Sequence, residues 1–206
     1  MERKKQLSKK FFKIWSKFYD CLPIISWYFI FALKLLVNEL KNFKAFQSFK
    51  SRLLDLGCGT ALLSNYLPDA ITYYGMDFSQ AMLAKAKLKP KAKFLIKGDI
   101  ENFSLKTLKT KEKFDIATST FVFHHVPRIE KVIRNISKVL KKEGIFALID
   151  IRCFPFGIIS KLIEPGFVKY WSTDEIVSMA NKFGFKKVFL KKYFSFFLLI
   201  FKYKSF

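Results

Sequence analysis

The sequence predicts a doubly wound α/β domain, and three observations carry that prediction. The run Arg52-Leu53-Leu54-Asp55-Leu56-Gly57-Cys58-Gly59-Thr60-Ala61 reads as a strand entering a glycine turn. A second β-rich run, Ile71 to Met76, ends in an acidic residue, Asp77. Further apolar segments at 94–97, 114–119 and 144–150 alternate with helix signals, the pattern of a mostly parallel sheet with helices on both faces. A chain of 206 residues with 51% hydrophobic content can fill such a core.

The first unit predicts strand, glycine turn and helix. Glycines let backbone approach a ligand, and a carboxylate one strand later can grip a ribose. A dinucleotide site wants a third glycine at the helix start, where this chain has Leu62. A branched side chain there crowds the place of two phosphates. The site therefore suits a ribose-bearing ligand with no pyrophosphate. Asp77 lies about twenty residues beyond Gly57, the spacing expected for a ribose-binding carboxylate. Ser79 can cap the helix that follows.

This run resembles motif I of the class I S-adenosylmethionine (SAM) dependent methyltransferases, and the order of later segments agrees over roughly residues 51–203. That family often ends the run with another glycine, where this chain has Ala61. The resemblance implies a seven-stranded Rossmann-like sheet and SAM as the cofactor. Asp55, Gly57, Cys58, Gly59, Asp77, Phe78, Asp99, Ile100 and Ser119 are the implied donor-binding residues. Phe78 would pack on adenine, and Asp99 with the Ile100 N–H would meet the adenine edge. A Gly-Asp pair by itself is an ordinary turn; its place after the third strand, Phe94–Lys97, raises it.

The fourth strand, Phe114–Ser119, runs into Thr120-Phe121-Val122-Phe123-His124-His125-Val126-Pro127. Ligands bind beyond the carboxyl ends of parallel strands, so this segment should border donor and acceptor. His124 and His125 are the candidate general bases for an oxygen or carbon acceptor, since imidazole titrates near neutral pH. The alternative is that one packs and the other caps the loop. No Asn/Asp-Pro-Pro-Tyr/Phe and no Pro-Cys is present, the motifs of amino and of cytosine C5 methylation.

A helix is expected over 129–140, stopped by Lys141-Lys142-Glu143-Gly144. The fifth strand spans 144–150. An irregular apolar and basic loop over 151–172 should border the acceptor. Thr173 is the expected cap of the next helix, with Met179 and Phe183 on its core face and Gly184 as its stop. Strands over 185–190 and 193–203, joined by Lys191-Lys192, would supply the antiparallel C-terminal edge.

The chain divides into a basic amphipathic arm, residues 1–45, and the SAM-binding domain, 46–206. Residues 1–19 of the arm hold seven cations, and Leu7, Phe11, Ile14, Trp15, Phe18 and Leu22 recur at helical spacing among and after them. Such a face suits an anionic membrane surface or a lid over the domain. Tyr19-Asp20 matches an aromatic-acidic pair that similar enzymes of the quinone-precursor and lipid branch carry before the domain, which places Tyr19 near the donor. The apolar run 22–33 is too short to span a bilayer and predicts a buried or interfacial helix.

Net charge is +22, which favours nucleic acid, membrane or an acidic partner. Only five of the 38 basic residues are arginine, and 26 phenylalanines accompany the lysines, a joint excess that A/T-rich codon usage would produce. Scarce arginine weakens the nucleic-acid reading. Three scattered cysteines give no metal spacing and no disulfide framework, which fits a cytoplasmic protein. The expected activity is methyl transfer to a small or lipidic acceptor, an isoprenoid quinone precursor among them. Rival readings are an RNA or protein methyltransferase, and a non-catalytic nucleoside-binding or membrane-adaptor protein on the same scaffold. The sequence leaves the oligomeric state open.

Overall fold

The computed structural model describes residues 23–153 and 166–204. Among these residues, seven strands form one sheet: β1 (Arg52–Leu56), β2 (Thr72–Asp77), β3 (Phe94–Lys97), β4 (Phe114–Thr120), β5 (Leu140–Ile151), β6 (Phe185–Lys192) and β7 (Phe196–Tyr203). Their order is β3-β2-β1-β4-β5-β7-β6. The strands from β3 to β5 pair in parallel, while β7 runs antiparallel between β5 and β6. The order reverses at β1 and β4, and the carboxyl ends of those strands with β2 converge on one edge. In an open α/β sheet such a switch point is where ligands bind.

Each face of the sheet has its own core, because successive side chains of a strand point to opposite sides. Phe146 and Leu148 of β5, with Phe197, Leu199 and Phe201 of β7, pack on one face. That face is covered by α4 (Ile129–Val139) and α5 (Thr173–Asn181). Ile129, Val132, Ile133, Ile136 and Val139 of α4 are all buried, the three-and-four spacing of an amphipathic helix. On the other face Ile145, Ala147 and Ile149, with Phe196, Leu198 and Ile200, meet α1 (Pro23–Leu40), α2 (Lys44–Gln47) and α3 (Gln80–Ala86). Helix α1 buries Ala32, Leu33, Leu36, Val37 and Leu40 there. Strand β7 is buried from Phe196 to Phe201, as a strand covered on both faces must be. Outermost β6 exposes Lys186, Lys187, Lys191 and Lys192, charges that discourage pairing with another chain.

Four local expectations are corrected. The glycine turn leads into a five-residue 3-10 segment, Leu62–Tyr66, and not into a full helix; Ala61 enters it with a left-handed φ of 57°. Helix α4 ends at Val139, within one residue of the expected 140, but Lys141-Lys142-Glu143-Gly144 lies inside β5 and does not precede it. Leu140 already pairs with Phe114, and the next ladder pair joins Ile116 to Ile145, so 141–144 bulge from β5 with Glu143 at φ 64°. Ser172, and not Thr173, caps α5: its hydroxyl accepts from the Glu175 N–H while the Glu175 carboxylate accepts from the Ser172 N–H, a reciprocal capping box. The hairpin turn lies at 193–195 and not at 191–192, closed by the Tyr193 N–H donating to the Phe196 carbonyl, and Lys191-Lys192 still belong to β6. No helix among the described residues is long and apolar enough to cross a membrane.

Candidate active site

The turn after β1 is built by backbone. The Gly57 and Cys58 N–H groups both donate to the Met76 carbonyl at the end of β2, at 2.8 and 3.0 Å. Gly57 and Gly59 take left-handed φ values of 74° and 54°, which glycine adopts without steric cost. A Cβ at Gly57 would stand 2.4 Å from Val122 Cγ2, whereas one at Gly59 would project into open space. That open space is a cavity of about 420 Å³, within the range of small-ligand sites. Gly57 and Gly59 form one side of it; Asp77, Phe78, Met82, Asp99, Ile100, Phe121 and His125 are among its other walls.

Asp77 is fixed by the chain around it. Its Oδ2 accepts from the Gly59 N–H at 2.9 Å and its Oδ1 from the Ser79 N–H at 2.7 Å. Burial pushes its carboxyl up from the ordinary range, while the N–H groups of Ser79, Gly59 and Phe78 pull the other way. A carboxylate has about four lone-pair sites, so with these three N–H groups the group can still receive a hydroxyl. On the next strand end, Asp99 Oδ1 accepts from the Glu101 N–H at 2.9 Å, an Asx turn that brings Gly98, Asp99, Ile100 and Glu101 to the cavity wall. Glu101 is itself buried and takes Arg128 through the backbone N–H at 3.1 Å and through the guanidinium at 3.3 and 3.2 Å. Lys97, Met82 and Glu101 were absent from the expected set. Met82 could have been inferred, because its N–H donates to the Ser79 hydroxyl that caps α3.

Three expected residues lie beneath the cavity and do not line it. Asp55 is 1% exposed and accepts from the Tyr73 hydroxyl at 2.8 Å and the Thr118 hydroxyl at 2.9 Å. Burial raises its carboxyl to about 6. The Cys58 side chain is buried beside this group, and burial with the neighbouring Asp77 and Asp55 pushes its thiol up, so it is protonated and unreactive at neutral pH. Ser119 donates to the Leu56 carbonyl at 3.0 Å, tying β4 to β1. Of the expected acceptor border, Thr120 and Phe121 reach the cavity. Tyr19 lies outside the described residues, as does 154–165 of the acceptor loop.

The two histidines separate. His124 is 3% exposed; its Nδ1 meets Asp150 Oδ1 at 2.5 Å and its N–H donates to Asp150 Oδ2 at 2.8 Å. Its carbonyl accepts from the Val168 and Lys169 N–H groups, and Trp171 Nε1 donates to the Phe123 and Val126 carbonyls. His124 therefore clamps the loop after β5 onto the end of β4. The His125 ring, with its centroid 4.1 Å from that of His124, lines the cavity. Among the described residues no three His, Cys, Asp or Glu side chains gather to hold a metal.

Phe121 links the cavity to α1. It is a non-glycine residue at φ 57°, held there by its N–H donating to the Ile149 carbonyl at 2.8 Å. Its ring lies 4.9 Å from Phe29, 5.5 Å from Tyr28 and 6.0 Å from Phe196.

Residues 54–148 match the family model described as a methyltransferase domain. The chain is 31% identical over 139 residues to a ubiquinone biosynthesis O-methyltransferase of Pelagibacter ubique, covering 65% of this chain and 58% of that one. The chain thus spans under two thirds of that relative's length. Among solved structures it is similar to a DhpI complex with S-adenosylhomocysteine (SAH), at TM-score 0.72 and 16% identity over 97% of this chain and 96% of that one. It is also similar to a SAM-dependent methyltransferase of Clostridium acetobutylicum, at TM-score 0.67 and 17% identity over 93% and 98%. With the glycine turn, the acidic strand ends and the reversed strand order all present, the chain is similar to the methyltransferase domain family over residues 54–148 and shares the fold of solved SAM-dependent methyltransferases.

Proposed function

We propose that this chain transfers a methyl group from SAM to a small or lipidic acceptor. The observation that carries the reading is the gathering of Asp77 and Asp99, from adjacent strand ends, around one cavity with the Gly57–Gly59 turn, to which Asp77 is hydrogen-bonded. Asp77 would accept from the ribose hydroxyls with its remaining lone-pair site. Phe78, Met82 and Ile100 would enclose the adenine, and Asp99 would meet its amino group. Gly59 leaves room at the turn where any side chain would intrude. When bound, SAM supplies an electrophilic methyl on a sulfonium sulfur. The protein's work is then mainly alignment of acceptor and methyl in one line.

Of the two candidate bases, His125 would be the one to act. It borders the cavity, while His124 is turned to Asp150 and buried. For a hydroxyl acceptor, His125 would take the proton as the oxygen attacks. Apolar Phe121, Val122, Val126 and Pro127 on the same wall favour an apolar acceptor. The name of the Pelagibacter relative points the same way, to an isoprenoid quinone precursor.

Calorimetry with SAM, SAH and NAD tests the reading. SAM and SAH are expected to bind and NAD to fail, for want of a place for its pyrophosphate. Asp77→Asn, which keeps the shape, should weaken SAM by about 10- to 100-fold, the worth of hydrogen bonds to a charged group. Equal binding of NAD, or no binding of SAM, refutes it.

A further inference from the structure

Three rings stand exposed at one corner of the molecule. Trp27 is 68% exposed, Phe31 41% and Phe194 69%. Trp27, Phe31 and Lys34 follow one another at helical spacing along the outer stripe of α1, opposite the buried Ala32, Leu36 and Leu40. The Trp27 and Phe31 rings stack at 5.8 Å with 14° between their planes. The β6–β7 turn is bolted to this stripe. Phe31 meets Phe196 at 6.5 Å, and the Tyr28 hydroxyl and Ser195 Oγ lie 3.0 Å apart. Arg152 joins from β5: its N–H donates to the Ser195 carbonyl and its guanidinium to the Tyr193 carbonyl.

The segments that carry these rings also carry exposed cations. Lys34, Lys191, Lys192 and Arg152 are all exposed. Among the described residues none of these four is paired with a carboxylate. An exposed tryptophan and two phenylalanines on segments that also carry lysines are the residues that settle at a bilayer interface, rings at the acyl boundary and ammonium groups among headgroup phosphates. Single-stranded nucleic acid asks instead for rings spread apart as stacking platforms along a groove. Here two of the three rings stack on each other.

We infer that this corner, formed by α1 and the β6–β7 turn, docks on an anionic lipid surface. It adjoins the cavity wall, because Tyr28 and Phe29 on the same helix pack against Phe121, which lines the cavity. A lipidic acceptor would thus leave the bilayer beside the site that uses it. That last step rests on the proposed function; the docking does not.

Flotation of the full chain with phosphatidylglycerol-containing vesicles, and with pure phosphatidylcholine vesicles, tests the inference. The wild-type chain should partition to the anionic vesicles. Lys191→Gln with Lys192→Gln should weaken that by about 30-fold and reduce the preference over phosphatidylcholine. Trp27→Ser with Phe194→Ser should weaken binding to the anionic vesicles by at least 10-fold. SAM calorimetry on the same preparations checks the fold and tests the methyltransferase reading separately. Both variants floating like the wild type would overturn the inference, since docking would then lie elsewhere on the chain. So would a wild-type chain that ignores anionic vesicles but binds RNA through the same lysines, or one that dimerises through this corner.

Discussion

The buried carboxylate beneath the glycine turn should leave a mark on stability against pH. Asp55 has an ordinary value of 3.8 and a folded value of about 6, with burial as the main cause. The folded chain holds this proton more tightly than the unfolded one. Its contribution is therefore fully present below pH 3.8 and is lost as pH rises through about 6. The gap between the two values corresponds to about 3 kcal/mol, at 1.36 kcal/mol per tenfold change in acidity. Asp55→Asn removes the titration and keeps the shape, and the Tyr73 and Thr118 hydroxyls can each turn to donate or accept. Urea unfolding of both proteins from pH 3.5 to 8 at constant ionic strength isolates the effect, because titrations common to both cancel in the difference. The stability of wild type minus variant should fall by about 3 kcal/mol across that range, most of it between pH 4 and 6. In thermal melts this is about 6–12 °C for a domain of this size. A difference that stays flat, or that grows with pH, refutes the placement of Asp55 as a buried, desolvated acid.

The remaining predictions concern the turn and the histidines. Gly57→Ala combines a left-handed φ with a methyl driven into Val122, and should cost about 2–5 kcal/mol in urea melts. Gly59→Ala meets open space, so it should cost only about 1–2 kcal/mol of stability while its methyl enters the cavity and weakens SAM in calorimetry. His125→Gln should lower methyl transfer to a hydroxyl acceptor by about 10²- to 10⁴-fold with SAM affinity unchanged. His124→Ala should instead cost about 3–5 kcal/mol of stability, since it leaves Asp150 buried without its ring partner. The reverse assignment of effects would exchange the roles given to the two rings.

The strands were legible where composition and punctuation agreed. Gly57 and Gly59 end β1, Asp77 ends β2, and α4 carries its apolar stripe openly. What stayed hidden was direction. All five residues of β1 are buried, so no polar-apolar alternation marks which face Asp55 takes. It falls on the side of Leu53 and Tyr73, beneath the cavity, and not in it. His124 and His125 are adjacent and chemically identical. Only Asp150, brought near by the pairing of β4 with β5, distinguishes them. Ser172 and Thr173 are both good caps, and backbone geometry chose the first.

Phe121 gives the molecule a lever. Its backbone is pinned in a conformation that L-residues resist, its ring is gripped by α1, and its surface forms part of the chamber. Any force that reseats the first helix is thus transmitted to the reaction chamber through a single aromatic plate. Substitutions at Tyr28 or Phe29, which do not line the chamber, should alter which acceptors are used before they alter how tightly the methyl donor is held.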